Sequence, residues 1–353
     1  MRAPMSRDVP IALSVVVVTY NSRAAVSASL PPLCGQFGPD DELVVVDNGS
    51  IDGTPAAVRA LAPAAKVVEH GHNAGFAGGA AVGARAARGD LLVFLNPDAA
   101  PRPGFLEAIR RPAGDGRGWA AWMGLVTADA GRSVNTSGGV IHFTGIAWAG
   151  ETGTSVAGTR RGPREVAFLS GACLAIARTT WERHGGFDES FFMYQEDVDL
   201  SLRLRLAGGR LGIEPAAVVD HDYAFAKGPE KWRLLERNRW ATILRCYPGP
   251  VLLAVAPALA ATEVALLAVA AAGGWLPQKL AATAGTLRAL PRLRRERRAV
   301  QATRAISCTE FMAWLTPDLD SPFLGRAGRL RPLRWALRAY WRLAVGAVSR
   351  SGR

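Results

Sequence analysis

Runs of apolar residues broken by short polar clusters dominate the first half of the chain. Ile11–Thr19 (IALSVVVVT) is β-branched and ends at Tyr20-Asn21-Ser22, which predicts a strand and then a helix through Leu33 with Asn21 or Ser22 as its N-cap. Leu43–Val46 is a second short run, halted by Asp47-Asn48-Gly49-Ser50, after which Thr54 is a candidate cap for a helix to about Leu61. Lys66–Glu69 predicts a weaker third strand, and the Ala/Gly-rich stretch Ala74–Arg88 a third helix. Leu91-Leu92-Val93-Phe94-Leu95 is an unbroken apolar run that stops at Asn96-Pro97-Asp98; such a run suits a strand covered on both faces, and Pro97 forbids further ladder pairing. This alternation predicts a parallel sheet wound with right-handed crossovers. Ligands bind such sheets just beyond the carboxyl ends of the strands, where Asp47 and Asp98 fall. Each acid also has a plain structural role open to it, Asp47 in an Asx-turn and Asp98 as a helix cap.

The middle of the chain is less regular. Pro101–Pro103, Gly114–Gly118 and Gly150–Gly162 carry loop signals around two expected strands, Trp119–Thr127 and Val140–Trp148. Val166–Ala177 is strand-like around Gly171-Ala172-Cys173. After a turn at Gly186–Glu189 and the aromatic Phe191–Tyr194, Gln195–Asp199 opens a helix in which Val198, Leu202 and Leu206 recur at helical spacing. Acids in a helix's first turn ordinarily complement its dipole, and that role covers two or three of Glu196, Asp197 and Asp199, though not all of them equally. A strand at Ala216–Val219 then leads to His221.

Beyond Tyr223 the composition changes. Pro229–Tyr247 reads as a basic helix with Trp232 and Trp240, Val251–Ala272 is apolar with Glu263 as its only charge, and Leu330–Val348 interleaves arginines with Leu333, Trp335, Tyr340 and Trp341. The leucines and valines of Val251–Ala272 each favour insertion by about 0.3–0.6 kcal/mol, against about 2.5–3.5 kcal/mol for a central carboxylate. Basic residues on both flanks do not favour a crossing, so the expectation is a helix or hairpin lying on, or dipping into, the cytoplasmic leaflet.

With 353 residues and 49% hydrophobic content the chain can bury a large core, and its length suggests two domains, placed at 1–225 and 226–353. A net charge of +12 attracts anions without choosing among them. Cys34, Cys173, Cys246 and Cys308 lie far apart with no CxxC pair, which argues against a zinc site or disulfide framework and suits a reducing cytosol. Met1–Pro10 is polar and shows no secretory signal. Gly75, Gly78, Gly79 and Gly83 crowd a loop-to-helix junction, but GxGxxG spacing is absent and the first strand ends in Thr19-Tyr20-Asn21, so an NAD or FAD site is not expected. The same segment lacks the basic glycine-rich loop a nucleotidyltransferase would need. Arginines interleaved with tryptophans near the C-terminus could grip nucleic acid, a reading that leaves the first half of the chain unexplained.

Five strings, VVVVTYN (Val15–Asn21), VVVDNGSIDGT (Val44–Thr54), HNAGFAGG (His72–Gly79), GDLLVFLNPDA (Gly89–Ala99) and GGFDESFFMYQEDVDLSLRLRLAGG (Gly185–Gly209), resemble family 2 glycosyltransferases. The likeness spans Ala12 to His221 in the family's order and is strongest to the bacterial rhamnosyltransferase-like branch. It implies an α/β GT-A fold with a doubly wound mixed sheet, a UDP- or dTDP-linked sugar donor, inversion at the anomeric carbon, and Mg²⁺ or Mn²⁺. It also implies a cell-envelope glycan or lipid-linked saccharide as acceptor, a place at the inner face of the plasma membrane, and no nucleic-acid partner. By position, it makes Asp98 of Asn96-Pro97-Asp98 a metal ligand, with His221 contacting metal or diphosphate. Thr19, Tyr20, Asn21, Asp47, Asn73 and Asn96 match donor-binding positions, Asp197 matches the catalytic base, and Glu196 is the first residue of that acidic pair. One departure is that Ala80-Ala81 follows Gly79 where the branch usually has Asn-Asn, which removes a donor-side hydrogen bond and bears on which sugar is carried.

Overall fold

The computed structural model describes residues 12–159, 162–221, 228–321 and 330–351. Met1–Pro10, Tyr223 and the boundary set between 225 and 226 lie outside the described residues. β1 (Leu13–Thr19) and β2 (Glu42–Asp47) pair in parallel up to Thr19 opposite Asp47, and β2 pairs likewise with β3 (Lys66–Glu69), so these strands finish level. β4 (Leu91–Leu95), buried at every residue, flanks β1 on the other side, again in parallel.

The connecting helices are α1 (Arg23–Cys34), α2 (Thr54–Leu61) and α3 (Gly75–Ala86). Two expected caps differ. Ser22 holds the N-cap position of α1, but its hydroxyl turns back to the Tyr20 carbonyl, 3.2 Å away. Thr54 is the first helical residue of α2 and Gly53, in the left-handed region, is the cap. The glycines of α3 have a packing cause, since a Cβ at Gly79 or Gly83 would come within 2.4 Å of Val18 or 2.3 Å of Val16.

The chain then adds β5 (Ala100–Pro101), α4 (Phe105–Arg110), β6 (Trp119–Ala128) and β7 (Ser133–Thr136). The single strand expected over Val140–Trp148 is instead a hairpin, β8 (Gly139–Ile141) and β9 (Ala147–Ala149), because the chain reverses at Gly145, whose φ is 79°. β10 (Arg164–Glu165), β11 (Cys173–Ala177), α5 (Arg178–His184), α6 (Glu196–Leu206) and β12 (Arg210–Asp220) follow. The sheet order is β10-β12-β6-β11-β4-β1-β2-β3, and β5, placed where a loop was expected, pairs with β12. β11 runs antiparallel to both β4 and β6, which returns β6 and β12 to the direction of β4. This is the mixed α/β sheet that the resemblance implies, and it places the ends of β1, β2, β4, β6 and β12 along one edge.

The C-terminal part is helical: α7 (Glu230–Cys246), α8 (Gly249–Ala272), α9 (Leu276–Ala302), α10 (Cys308–Met312) and α11 (Arg331–Ser351). The apolar segment is one unbroken helix, α8, and its Glu263 is ion-paired with Arg239 of α7 and Lys279 of α9. One apolar core fills both faces of the sheet. A second contains Val198, Leu202 and Leu206 of α6 together with Ile243, Val251, Val300 and Trp341 from the C-terminal helices. α6 therefore lies between two cores, with Leu200 and Leu204 in the first.

Candidate active site

At the ends of β1 and β2 the hydroxyl of Thr19 donates to Asp47 at 2.9 Å, and Asp47 accepts the backbone N–H of Ser50 at 2.8 Å. The Asx-turn open to Asp47 is thus present, and the buried carboxylate is held rigidly at the sheet edge. Asn21, at φ 49°, spans the same edge: its N–H donates to Ser50 Oγ at 2.8 Å and its Oδ1 accepts from Ile51 N–H at 3.0 Å. Tyr20 beside it is exposed. Asn73 accepts the N–H of Gly75 at 2.9 Å and so shapes the entry to α3.

Past β4, Pro97 breaks the ladder, and Ser29 Oγ donates to the Pro97 carbonyl at 2.6 Å. The pairing of β5 with β12 folds this turn against the end of β12. That brings Asp98 Oδ1 within 3.0 Å of His221 Nε2, joining residues far apart in the chain. His221 is buried and its backbone N–H bonds Thr127 O at 2.8 Å, whereas Asp98 remains 44% exposed. A partly exposed carboxylate beside a fixed imidazole nitrogen is a donor set that fits one divalent cation, with its other positions left to ligand oxygens. No group of three or more ligating residues occurs among the described residues, so the protein alone would not enclose the ion.

Gly171-Ala172 connects this edge to α6. The Ala172 carbonyl accepts from Asn96 N–H at 3.1 Å, and Gly171 N–H donates to Asp197 Oδ2 at 3.0 Å. Asp197 Oδ1 also accepts from Val198 N–H at 2.8 Å. Burial raises the Asp197 pKa above the ordinary carboxylate value, while those two N–H groups oppose the rise. Glu196 is pushed well above its ordinary value, by burial first and then by Asp197 and Asp199. Its Oε2 is buried with no hydrogen-bond partner among the described residues. Of the two acids, Glu196 therefore keeps its proton longer and Asp197 ionises first.

The entry to α6 is strained: Phe192, Tyr194 and Gln195 all have positive φ, between 64° and 69°. Asn238 of α7 holds this run, its Nδ2 donating to the carbonyls of Phe191, Met193 and Tyr194 at 2.9, 2.9 and 2.8 Å. Gly75 completes the clamp, since a Cβ there would come within 2.1 Å of the Phe192 carbonyl. Below the entry, Asp199 pairs with Arg203 at 2.7 Å and Arg245 of α7 reaches Asp188 at 2.5 Å. Sequence reasoning missed Asn238 and Arg245. The one signal was an amide inside a helix, where such residues are poorly favoured.

A mixed sheet whose strands end level along one edge, a carboxylate–imidazole pair beyond it and an acid-led helix suit a glycosyltransferase of the GT-A type. The family model described as glycosyl transferase family 2 matches residues 14–182. The N-acetylglucosaminyl-diphospho-decaprenol L-rhamnosyltransferase of Mycobacterium tuberculosis is 32% identical over 243 residues, 61% of this chain and 78% of that protein. The rhamnosyltransferase WbbL of Escherichia coli K12 is 45% identical over 80 residues, 21% of this chain and 30% of that protein. The crystal structure of GalNAc-T7 with UDP, GalNAc and Mn²⁺ superposes with a TM-score of 0.57 at 15% identity, covering 69% of this chain and 49% of that one. The chain belongs to glycosyl transferase family 2.

Proposed function

We propose that this protein transfers rhamnose or a related hexose, with inversion, from a UDP- or dTDP-linked donor to a hydroxyl of a lipid-linked or cell-envelope saccharide. The observation that carries the reading is the link through Gly171-Ala172, which ties the Asn96–Asp98 turn to Asp197. A diphosphate at the strand ends and a hydroxyl near Asp197 would then lie on two sides of one short segment. The similarity to a rhamnosyltransferase named for a diphospho-decaprenol acceptor supports the substrate class.

In this reading Thr19, Tyr20, Asn21 and Asp47 hold the base and ribose, with Asn73 and Asn96 on the donor as well. Asp98 and His221 would hold Mg²⁺ or Mn²⁺, which neutralises charge on the leaving diphosphate when bound. Asp197 takes the proton from the acceptor hydroxyl as that oxygen bonds to the anomeric carbon and the bond to the diphosphate breaks. Glu196 beside it, whose pKa burial and the neighbouring acids raise, gives up its proton less readily than a free carboxyl and so limits the negative charge in the same space. The enzyme would work at the inner face of the plasma membrane.

The test is incubation with a panel of nucleotide sugars, with and without Mn²⁺. One sugar nucleotide should be slowly hydrolysed to its nucleoside diphosphate, only with cation, and Asp98→Ala should weaken donor binding itself. Hydrolysis of none of them, or full activity in excess chelator, contradicts the reading.

A further inference from the structure

α7 and α9 enclose a cavity of about 400 Å³ that the chemistry above does not use. Arg233 and Arg237 of α7 and Arg288 and Arg292 of α9 line it, with Ser190 and Gly285 among the other lining residues, and no acid lines it. Arg233 is paired with Glu230, and Arg292 with Glu296 at 2.7 Å and Asp188 at 3.7 Å. Arg237 and Arg288 form no ion pair among the described residues. Arg237 instead donates to the carbonyls of Ser190 and Phe191, each at 2.9 Å. Burial lowers its pKa, and the nearby Arg233 and Arg292 add to the lowering against the opposing pull of Glu230 and Asp188. Four guanidiniums around one acid-free space favour a multivalent oxyanion, since each offers paired N–H donors matched to phosphate oxygens.

The surroundings say what carries that anion. On α9, Leu280 and Leu287 stand 54% and 60% exposed, seven residues apart and therefore on one face, the face turned away from the residues that line the cavity. The neighbouring α8 is an apolar helix with only 17% of its most hydrophobic window buried. A basic cavity carried by helices whose outer surface is apolar and little buried matches a phosphate borne on a lipid. Ser190 and Phe191, which line the cavity, lead directly into the strained run that opens α6.

We propose that this cavity binds the phosphate or diphosphate of a membrane lipid, separately from the donor diphosphate at the strand ends. The proposal rests on the transferase reading only for its first source, the diphosphate of a lipid-linked acceptor. The second source is the headgroup of an anionic phospholipid.

The experiment uses the full chain with Arg288→Gln and, separately, Arg233→Gln with Arg288→Gln, because Arg288 is exposed and its loss should leave the fold intact. Inorganic pyrophosphate is titrated calorimetrically in chelator, which removes cation-bridged binding at Asp98. Wild type should bind, and the double variant should bind about tenfold more weakly or worse. If the KM for a detergent-solubilised lipid-diphosphate saccharide rises about tenfold, while that for a soluble glycoside without the diphosphate does not, the source is the acceptor. If sedimentation with vesicles of phosphatidylglycerol in phosphatidylcholine falls instead, the source is the phospholipid. Pyrophosphate affinity, KM and vesicle binding all unchanged in both variants would overturn the proposal. A wild type that hydrolyses no donor, yet loses pyrophosphate affinity in the variants, would sink the transferase reading and leave the anion site standing.

Discussion

Glu196 and Asp197 are neighbours with different partners, and that difference underlies the separate roles proposed for them. Asp197 accepts two backbone N–H groups, while one oxygen of Glu196 has none among the described residues. Asp197→Asn should leave donor binding nearly unchanged and lower kcat by about a hundredfold or more, because only the deprotonation loses its partner. Near-normal turnover in that variant, with Glu196→Gln inactive, would move the base by one residue. The pH dependence follows from burial. Asp197 must be ionised to accept a proton and its pKa lies above 3.8, so wild-type kcat/KM should fall as pH drops through that raised value and recover above it. Glu196 gives a stability effect of opposite direction: its folded pKa lies well above 4.5, so just above 4.5 the native state binds more protons than the unfolded chain. Stability contributed by this group is therefore complete below 4.5 and is lost as pH rises through the folded pKa. Melting curves across pH should show a weaker loss of this kind in Glu196→Gln.

The elements explain why some of this was legible in sequence and some was not. Where an apolar run stops is a local property, so Leu91–Leu95 and Leu43–Val46 located Asp98 and Asp47 without any knowledge of partners. What Asp98 faces depends on β5 pairing with β12, and a two-residue strand leaves no periodic signal. The spacing of Val198, Leu202 and Leu206 identified α6 but could not say that this stripe meets the C-terminal helices. Nor could a basic helix reveal that Asn238, among its arginines, holds three carbonyls of the strained run. That clamp predicts a separation of effects. Asn238→Ala should destabilise the protein by about 1–3 kcal/mol, and should lower kcat about tenfold while donor KM barely moves, because the loop it fixes aims Asp197 and not the nucleotide site. Donor KM and kcat falling off together, or stability lost with kcat intact, would make Asn238 merely structural.

At the scale of the whole molecule, the second core gives the C-terminal helices a structural role besides any contact with a membrane. Deleting them would bare Val198, Leu202 and Leu206 on the helix that carries Asp197, so a chain ending near His221 should aggregate or lose its cooperative melting transition. Membrane attachment is therefore better tested on the intact chain. The 24 residues of α8 extend about 36 Å at 1.5 Å per residue, longer than the ~30 Å hydrocarbon core of a bilayer, and Leu253 and Val264 stand 78% and 70% exposed. The carboxylate that weighed against insertion, Glu263, is satisfied by Arg239 and Lys279 within the protein. Its desolvation thus falls on a polar contact between helices, which removes that objection to the proposed attachment through the apolar remainder of α8. The exposed arginines of α9 and α11 would each add an electrostatic attraction of about 1 kcal/mol near an anionic surface, which salt screens, whereas the apolar contribution is insensitive to salt. Fractionated membranes should accordingly retain the full chain through a high-salt wash. Leu253→Gln combined with Val264→Gln, both outside the core, should leave melting unchanged and convert that retention into a salt-sensitive one. Recovery of the wild-type chain in the soluble fraction at ordinary salt would refute the attachment.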